Sequence, residues 1–181
     1  MEKTLYNHFF LADLHLGHAK VLEYDKRPYT CIQQHDRDLM RNCIKDGYKS
    51  RTLWILGDVA TRREGLQTFM SYIRPHWGKI NLIRGNHDDK VAWRHRDLFD
   101  EAHESHYLRV NKEVRVYLSH YAHRTWRNSH HGAYHLYGHS HGALPGLGRS
   151  MDVGAPCVNY TPISLAEVVE KLKDKETTNH H

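Results

Sequence analysis

Cysteine is scarce in this chain, and its distribution limits what it can do. Cys31, Cys43 and Cys157 are odd in number and widely spaced, with neither a CxxC pair nor the even count of a disulfide scaffold; reduced thiols in or near the core are expected. Long apolar runs are missing too. The longest fall far short of the roughly 20 residues that a membrane-spanning helix needs, so no membrane association is expected. Met1-Glu2-Lys3-Thr4-Leu5 lacks the apolar stretch and small-residue cleavage site of an export signal, which makes the cytoplasm the expected location. On that expectation the sequon Asn159-Tyr160-Thr161 has no route to glycosylation and is a chance match. Repeats, linkers and low-complexity segments are absent, as is any dense Lys/Arg run of the kind that marks a nucleic-acid arm.

What is present fits one globular domain. With 181 residues, 39% of them hydrophobic and 26% charged, the chain is long enough to bury a sizeable core. We read residues 1–172 as that domain and residues 173–181 as a flexible tail, with the closing His180-His181 left out of the functional reading. The net charge of +5 favours anionic partners. Histidine is the compositional oddity: there are 18. Only some fall in motifs, while others such as His130, His131 and His135 crowd one segment and read as surface residues.

Apolar runs and turn residues alternate in a regular way. Strands are expected over Asn7–Ala12, Arg51–Leu56, Lys79–Ile83, Val114–Leu118 and His135–Tyr137, with another short one at Met151-Asp152-Val153. Helices with one apolar face are expected over Ile32–Ile44 and Gly65–Ile73, stopping before Gly47 and Pro75. Ser164 with Glu167 forms a capping box for a last helix through Leu172. Strands first alternate with helices and then run mostly with one another, so the expected class is α/β, with a sheet-on-sheet core flanked by helices rather than one parallel sheet.

Each of the first five strands ends in a polar cluster. In order these are Asp13-Leu14-His15, Gly57-Asp58, Gly85-Asn86-His87-Asp88, Ser119-His120 and Gly138-His139-Ser140-His141. They supply carboxylate, amide and imidazole donors suited to divalent transition metals, and no single cluster could fill two coordination spheres. Taken alone, each has a bland reading as a chance pair, a turn or a loop with surface histidines. The ordered set at successive strand ends is what points to chemistry, because loops beyond strand C-termini are where α/β proteins carry their sites.

In this respect the sequence resembles the calcineurin-like metallophosphoesterases, in the small single-domain form of bacteria and phages, with all five signature segments present between Asp13 and His141. The resemblance implies a central β-sandwich flanked by helices. It also implies two divalent metal ions, with manganese favoured and iron, zinc, cobalt or nickel as alternatives. One ion would take Asp13, His15 and His141, the other Asn86, His120 and His139, with Asp58 bridging; a carboxylate can span ions about 3.5–4 Å apart, whereas a neutral imidazole cannot. The implied activity is hydrolysis of phosphate esters, by a hydroxide shared between the ions that attacks phosphorus in line. His87 would protonate the leaving group and Asp88 would orient its ring.

The extension Gly17-His18, together with Arg27-Pro28-Tyr29, resembles a subset of the small members. His18 and Arg27 are therefore candidate substrate contacts, as are His123 and Arg124, which follow His120 in Tyr121-Ala122-His123-Arg124, while Asp152 and Asn159 are assigned no chemistry. Short intervals between motifs leave no room for a capping domain, and because small uncapped members of the family that the chain resembles are commonly phosphodiesterases, the resemblance implies phosphodiesters over phosphomonoesters, a nucleotide or nucleic-acid end among them. No obligate protein partner is indicated. Two other classes compete. This fold also serves as a non-catalytic scaffold in retromer, where the catalytic histidine is lost, but His87 is retained here. A nucleic-acid binder is suggested by the positive charge and by Trp54, Trp77, Trp93 and Trp126, although tryptophans are more often core.

Overall fold

The computed structural model describes residues 5–177; most of the N-terminal segment read above and the closing His180-His181 lie outside the described residues. The elements in order are β1 (His8–Leu11), α1 (Val21–Tyr24), α2 (Ile32–Lys45), β2 (Thr52–Ile55), α3 (Arg63–Ile73), β3 (Lys79–Ile83), β4 (Glu101–His103), β5 (Ser105–Arg109), β6 (Arg115–Ser119), β7 (Tyr134–Tyr137), β8 (Ser150–Asp152), β9 (Ile163–Ser164) and α4 (Leu165–Leu172). Short 3-10 turns occupy Arg96–Leu98, Ser129–His131 and Ala155–Val158.

The strands form two sheets. One has the order β4-β3-β2-β1-β9 and the other β5-β6-β7-β8. In the first, β1 to β4 run parallel and β9 lies antiparallel to β1. In the second, β6, β7 and β8 are parallel and β5 runs antiparallel to β6. Parallel strands need crossover connections, and α2 and α3 supply two of them. The fold is thus a mixed α/β arrangement of two sheets and helices.

The side-chain alternation of a strand assigns each residue to one of two cores. Phe9, Leu11, Leu53, Ile55, Ile80 and Leu82 face the helices, where Leu39 and Cys43 of α2 and Leu66, Phe69, Met70 and Ile73 of α3 meet them. Phe10, Trp54, Leu56 and Ile83 face the other way and pack with Val116, Leu118, Tyr134 and Leu136 of the second sheet. The central strands are buried on both faces, which is why they read as continuous apolar runs. Trp77 anchors the end of α2, its Nε1 donating to the Cys43 carbonyl at 2.8 Å.

Several expectations need correction. Strands β4, β5 and β9 and the single turn α1 carry no strong apolar pattern and were not expected; β4 and β5 have no fully buried residue. His135 is fully buried rather than on the surface, as is His35. Among the thiols only Cys43 is buried, while Cys31 and Cys157 are exposed. Within the segment read as the tail, the carbonyls of Lys173 and Lys175 accept from Arg149, at 3.0 and 3.2 Å. The Ser164–Glu167 capping box is present in both its bonds. Among the described residues, no helix is long and apolar enough to cross a membrane.

Candidate metal centre

Parallel strands deliver their C-terminal ends to one edge, and the polar clusters gather there. Asp13 follows β1, Asp58 follows β2, Asn86 follows β3, His120 follows β6 and His139 follows β7. Main-chain bonds knit these loops together: the Asp13 amide donates to Gly57 O (3.1 Å) and the His15 amide to Asp58 O (2.9 Å). Gly138 donates to His120 O at 3.0 Å.

The backbone at these positions is strained. Asp13, His15, Asp58, His139 and His141 all hold left-handed φ values, between 48 and 66°. That region disfavours non-glycine residues, and such strain gathers at functional sites where the surrounding structure imposes it. Gly57, at φ 88°, lets two loops touch; a Cβ there would lie 2.5 Å from His120 Nδ1 and 2.6 Å from the Gly85 Cα. Gly138 plays the same part against Asp13, where a Cβ would come within 2.7 Å of Oδ2.

Seven donors converge. His15 Nε2 lies 3.3 Å from His141 Nε2, and His141 Nε2 lies 3.7 Å from Asp13 Oδ1. Asp58 Oδ2 is 3.6 Å from both His15 Nε2 and His120 Nε2. Asn86 Oδ1 sits 2.8 Å from His120 Nε2 and 2.9 Å from His139 Nδ1. Two groups, Asp13–His15–His141 and Asp13–Asp58–His120, have donor atoms close enough to hold a metal ion.

The donor chemistry itself calls for a cation. His120 Nδ1 donates to Leu56 O at 2.8 Å, so in the neutral ring Nε2 carries a lone pair, and it faces the Asn86 amide oxygen, another acceptor. His141 repeats the pattern, with Nδ1 donating to Asp25 Oδ2 at 2.6 Å and Nε2 turned toward His15 and Asp13. Acceptors facing acceptors in a buried site are costly unless something positive lies between them. An imidazole whose other nitrogen donates to a carbonyl or carboxylate is the usual form of a metal-binding histidine. The residues therefore fit divalent metal.

Electrostatics agree. Burial, reinforced by Asp152 and Asp58, pushes the Asp13 carboxyl well above its usual range. Burial, reinforced by His141, holds the His15 imidazole down to about 2. Burial likewise lowers His139, helped by His120. In the absence of a cation, crowded carboxylates resist ionising and crowded imidazoles resist protonation.

The other expected residues divide. His87 is exposed at the mouth of the site, its ring 5.6 Å from that of His15, and its amide donates to Asp58 Oδ1 at 2.9 Å. Asp88 does not orient that ring. Its buried carboxylate accepts the amides of Asp58 (3.0 Å), Val59 (3.0 Å) and Gly85 (2.8 Å), so it pins the Asp58 loop instead. Arg27 is not presented to a substrate either: its guanidinium is buried, donating to Asp25, Asp13 O, Leu14 O and His35. His18 lies beside His15, ring centroids 5.6 Å apart, with Nδ1 buried and unpartnered. His123 and Arg124 are exposed past His120; the His123 ring packs on Tyr117 and His135.

Three residues of the site carried no expectation. Asp25 holds His141. Asp152 accepts from Ser140 Oγ (2.6 Å) and the amides of Gly142 (2.9 Å) and Gly154 (2.7 Å), fixing the loop that carries His139 and His141. Tyr121, half-exposed, sets its ring 4.7 Å from that of His139. Asp25 is two residues from the flagged Arg27, and Asp152 ends an expected strand, but neither spacing announces a partner.

No protein-family model matches the chain. It is similar to an uncharacterized protein of Methanocaldococcus jannaschii, 24% identical over 175 residues that cover 94% of this chain and 96% of that one. It is also similar to the gene 66 protein of Mycobacterium phage L5, 26% identical over 164 residues covering 76% and 79% of the two chains. Among solved structures, a protein of unknown function from Aquifex aeolicus matches with a TM-score of 0.73 at 21% identity, over 91% of this chain and 98% of that one. That likeness shows a shared fold.

Proposed function

We propose that this chain is a metal-dependent phosphoric ester hydrolase built on a calcineurin-like β-sandwich, acting on phosphodiesters in preference to monoesters. The observation that carries the reading is the position of Asp58: one carboxylate oxygen lies 3.6 Å from an imidazole nitrogen of each flanking histidine, His15 and His120. A carboxylate so placed suits two ions better than one. In this reading Asp13, His15 and His141 hold one ion, Asn86, His120 and His139 the other, and Asp58 both, with manganese the favoured metal.

When bound, such a pair supplies positive charge against the phosphoryl oxygens and acidifies water to give a nucleophile near neutral pH. The chain's own residues do the rest. Buried Asp13 and Asp58 fix the floor of the site, while exposed Asn86 and His87 leave its mouth open to a diester with two substituents. His87, exposed and with its ring 5.6 Å from that of His15, gives its proton to the departing alkoxide. Positioning, rather than a covalent intermediate, accounts for the chemistry.

The test is turnover of bis-p-nitrophenyl and mono-p-nitrophenyl phosphate with added manganese. The diester is expected to turn over faster, and His87→Ala to slow turnover by about 10²–10⁴-fold while both ions stay bound. Absence of turnover with manganese, iron, zinc, cobalt and nickel alike would overturn the reading; faster monoester turnover would reverse the substrate preference.

A further inference from the structure

A chain of hydrogen bonds runs from the surface of α2 to the imidazole of His141. Asp36, whose side chain is 24% exposed, accepts from His35 Nδ1 at 2.8 Å. His35 Nε2 lies 2.8 Å from Arg27 Nη1. A guanidinium can only donate, so Nε2 is the acceptor and Nδ1 carries the His35 proton. On its other side Arg27 directs Nε and Nη2 to Asp25 Oδ2, at 3.0 and 2.8 Å. The same oxygen takes the His141 Nδ1–H at 2.6 Å.

The polarity of each bond is thus determined by the one before it. Asp25 Oδ2 already accepts two N–H bonds from Arg27, and an oxygen so engaged takes a third bond as an acceptor. His141 must then carry its proton on Nδ1, which leaves Nε2 bare and facing His15 Nε2 at 3.3 Å and Asp13 Oδ1 at 3.7 Å. Backbone strain supports the arrangement. Lys26, between Asp25 and Arg27, has a φ of 49°, a left-handed turn that lets both neighbours face inward. Three more bonds tie the relay to the Asp13 loop: Arg27 Nη2 donates to Asp13 O at 2.9 Å, Arg27 Nη1 to Leu14 O at 3.3 Å and the Gly17 amide to Asp36 Oδ2 at 2.9 Å.

We infer that Asp25 is a positioning residue for one of the two metal positions: held by Arg27, His35 and Asp36, it fixes the His141 tautomer and aims Nε2 at the Asp13–His15 group. The inference rests on the two-ion reading above for its functional meaning, but the tautomer does not. The second position, around Asn86, His120 and His139, takes its orientation from Leu56 O instead. Asp25 therefore governs one position and not the other.

The experiment has a metal-free arm and a metal arm. Long-range proton–nitrogen NMR of the metal-free protein, with the His141 signals identified by their loss in His141→Gln, should find His141 in the Nδ1–H form. In Asp25→Ala the ring should populate the Nε2–H form. Because Asp25→Ala strands the buried Arg27, Asp25→Asn is measured beside it; its amide keeps the shape and removes the charge. In the metal arm, cobalt titrated into wild type should fill two positions, and Asp25→Asn should weaken one by about 10–100-fold, the usual effect of losing a ligand's outer partner. The other should stay within about threefold on the same scale. A wild-type His141 in the Nε2–H form, an unchanged tautomer in Asp25→Ala, or equal weakening of both positions would overturn the inference. Failure of wild type to take up any divalent ion would overturn the two-ion reading instead, a result on which the metal-free measurement does not depend.

Discussion

Replacing Asp88 by Asn separates two roles for a residue that sits next to the proposed acid. The carboxylate accepts three buried amides: Oδ2 takes Asp58 and Gly85, and Oδ1 takes Val59. An asparagine can keep at most the two-amide position with its one oxygen, and its NH₂ then faces the Val59 amide, donor against donor. A stranded buried donor costs about 1–3 kcal/mol, and the two retained bonds lose their charge assistance. Relief of the burial that raises the Asp88 carboxyl above its usual range offsets part of this. A net loss of about 3 kcal/mol follows, or roughly 6–12 °C in melting temperature for a protein of this size. The Asp58 loop should loosen with it, so metal affinity should fall alongside stability. Thermal melting with and without manganese, beside elemental analysis, reads both quantities. An Asp88→Asn protein that melts with wild type, keeps its metal and loses as much turnover as His87→Ala would refute this reasoning and return Asp88 to the side of the His87 ring.

Three further outcomes are expected. Manganese at about 100 times its dissociation constant should stabilise the protein by about 2.7 kcal/mol, or roughly 5–11 °C, and chelation should remove the gain; a melting curve indifferent to every divalent ion would contradict the facing acceptors at His120 and Asn86. Asp58→Asn should lower the occupancy of both ions, and unchanged metal content by elemental analysis would remove the bridging role. Burial lowers the His135 imidazole to about 4, and the ring is held neutral by the His123 amide on one nitrogen and Tyr117 O on the other. Its folded pKa lies below the unfolded 6.5, so the unfolded state binds the proton first. Stability is then full above about pH 6.5 and is lost progressively down to about pH 4, by about 3 kcal/mol from this residue. His15 acts in the same direction. Denaturant titrations should show a shallower pH slope in His135→Leu than in wild type, and coincident slopes would defeat the argument.

Much of this was legible in the sequence, for a physical reason. Strands β1, β2 and β3 are buried on both faces, so Phe9 to Leu11, Leu53 to Ile55 and Ile80 to Ile83, interrupted only by the buried Asn81, announce themselves as apolar runs, and the donors follow directly in the chain. The helices α2 and α3 were readable from their apolar stripes to within two residues. Strands β4 and β5 were not, because half-exposed edge positions such as Glu101, His103 and Arg109 lack any periodic signal. The carboxylates of Asp25, Asp88 and Asp152 were misread or passed over for a different reason. Each acts on a group that the fold, not the local sequence, brings to it: His141 lies 116 residues from Asp25, and the Asp58 amide 30 residues from Asp88.

The left-handed turns at Asp13, His15, Asp58, His139 and His141 imply that the folded chain, rather than its guest, bears the expense of assembling the donors. A cavity prepared in this way need not remodel itself when one divalent species leaves and another arrives. Exchange between metals of similar radius then becomes a matter of supply and ligand preference, and the strain stays with the polypeptide whichever ion is resident.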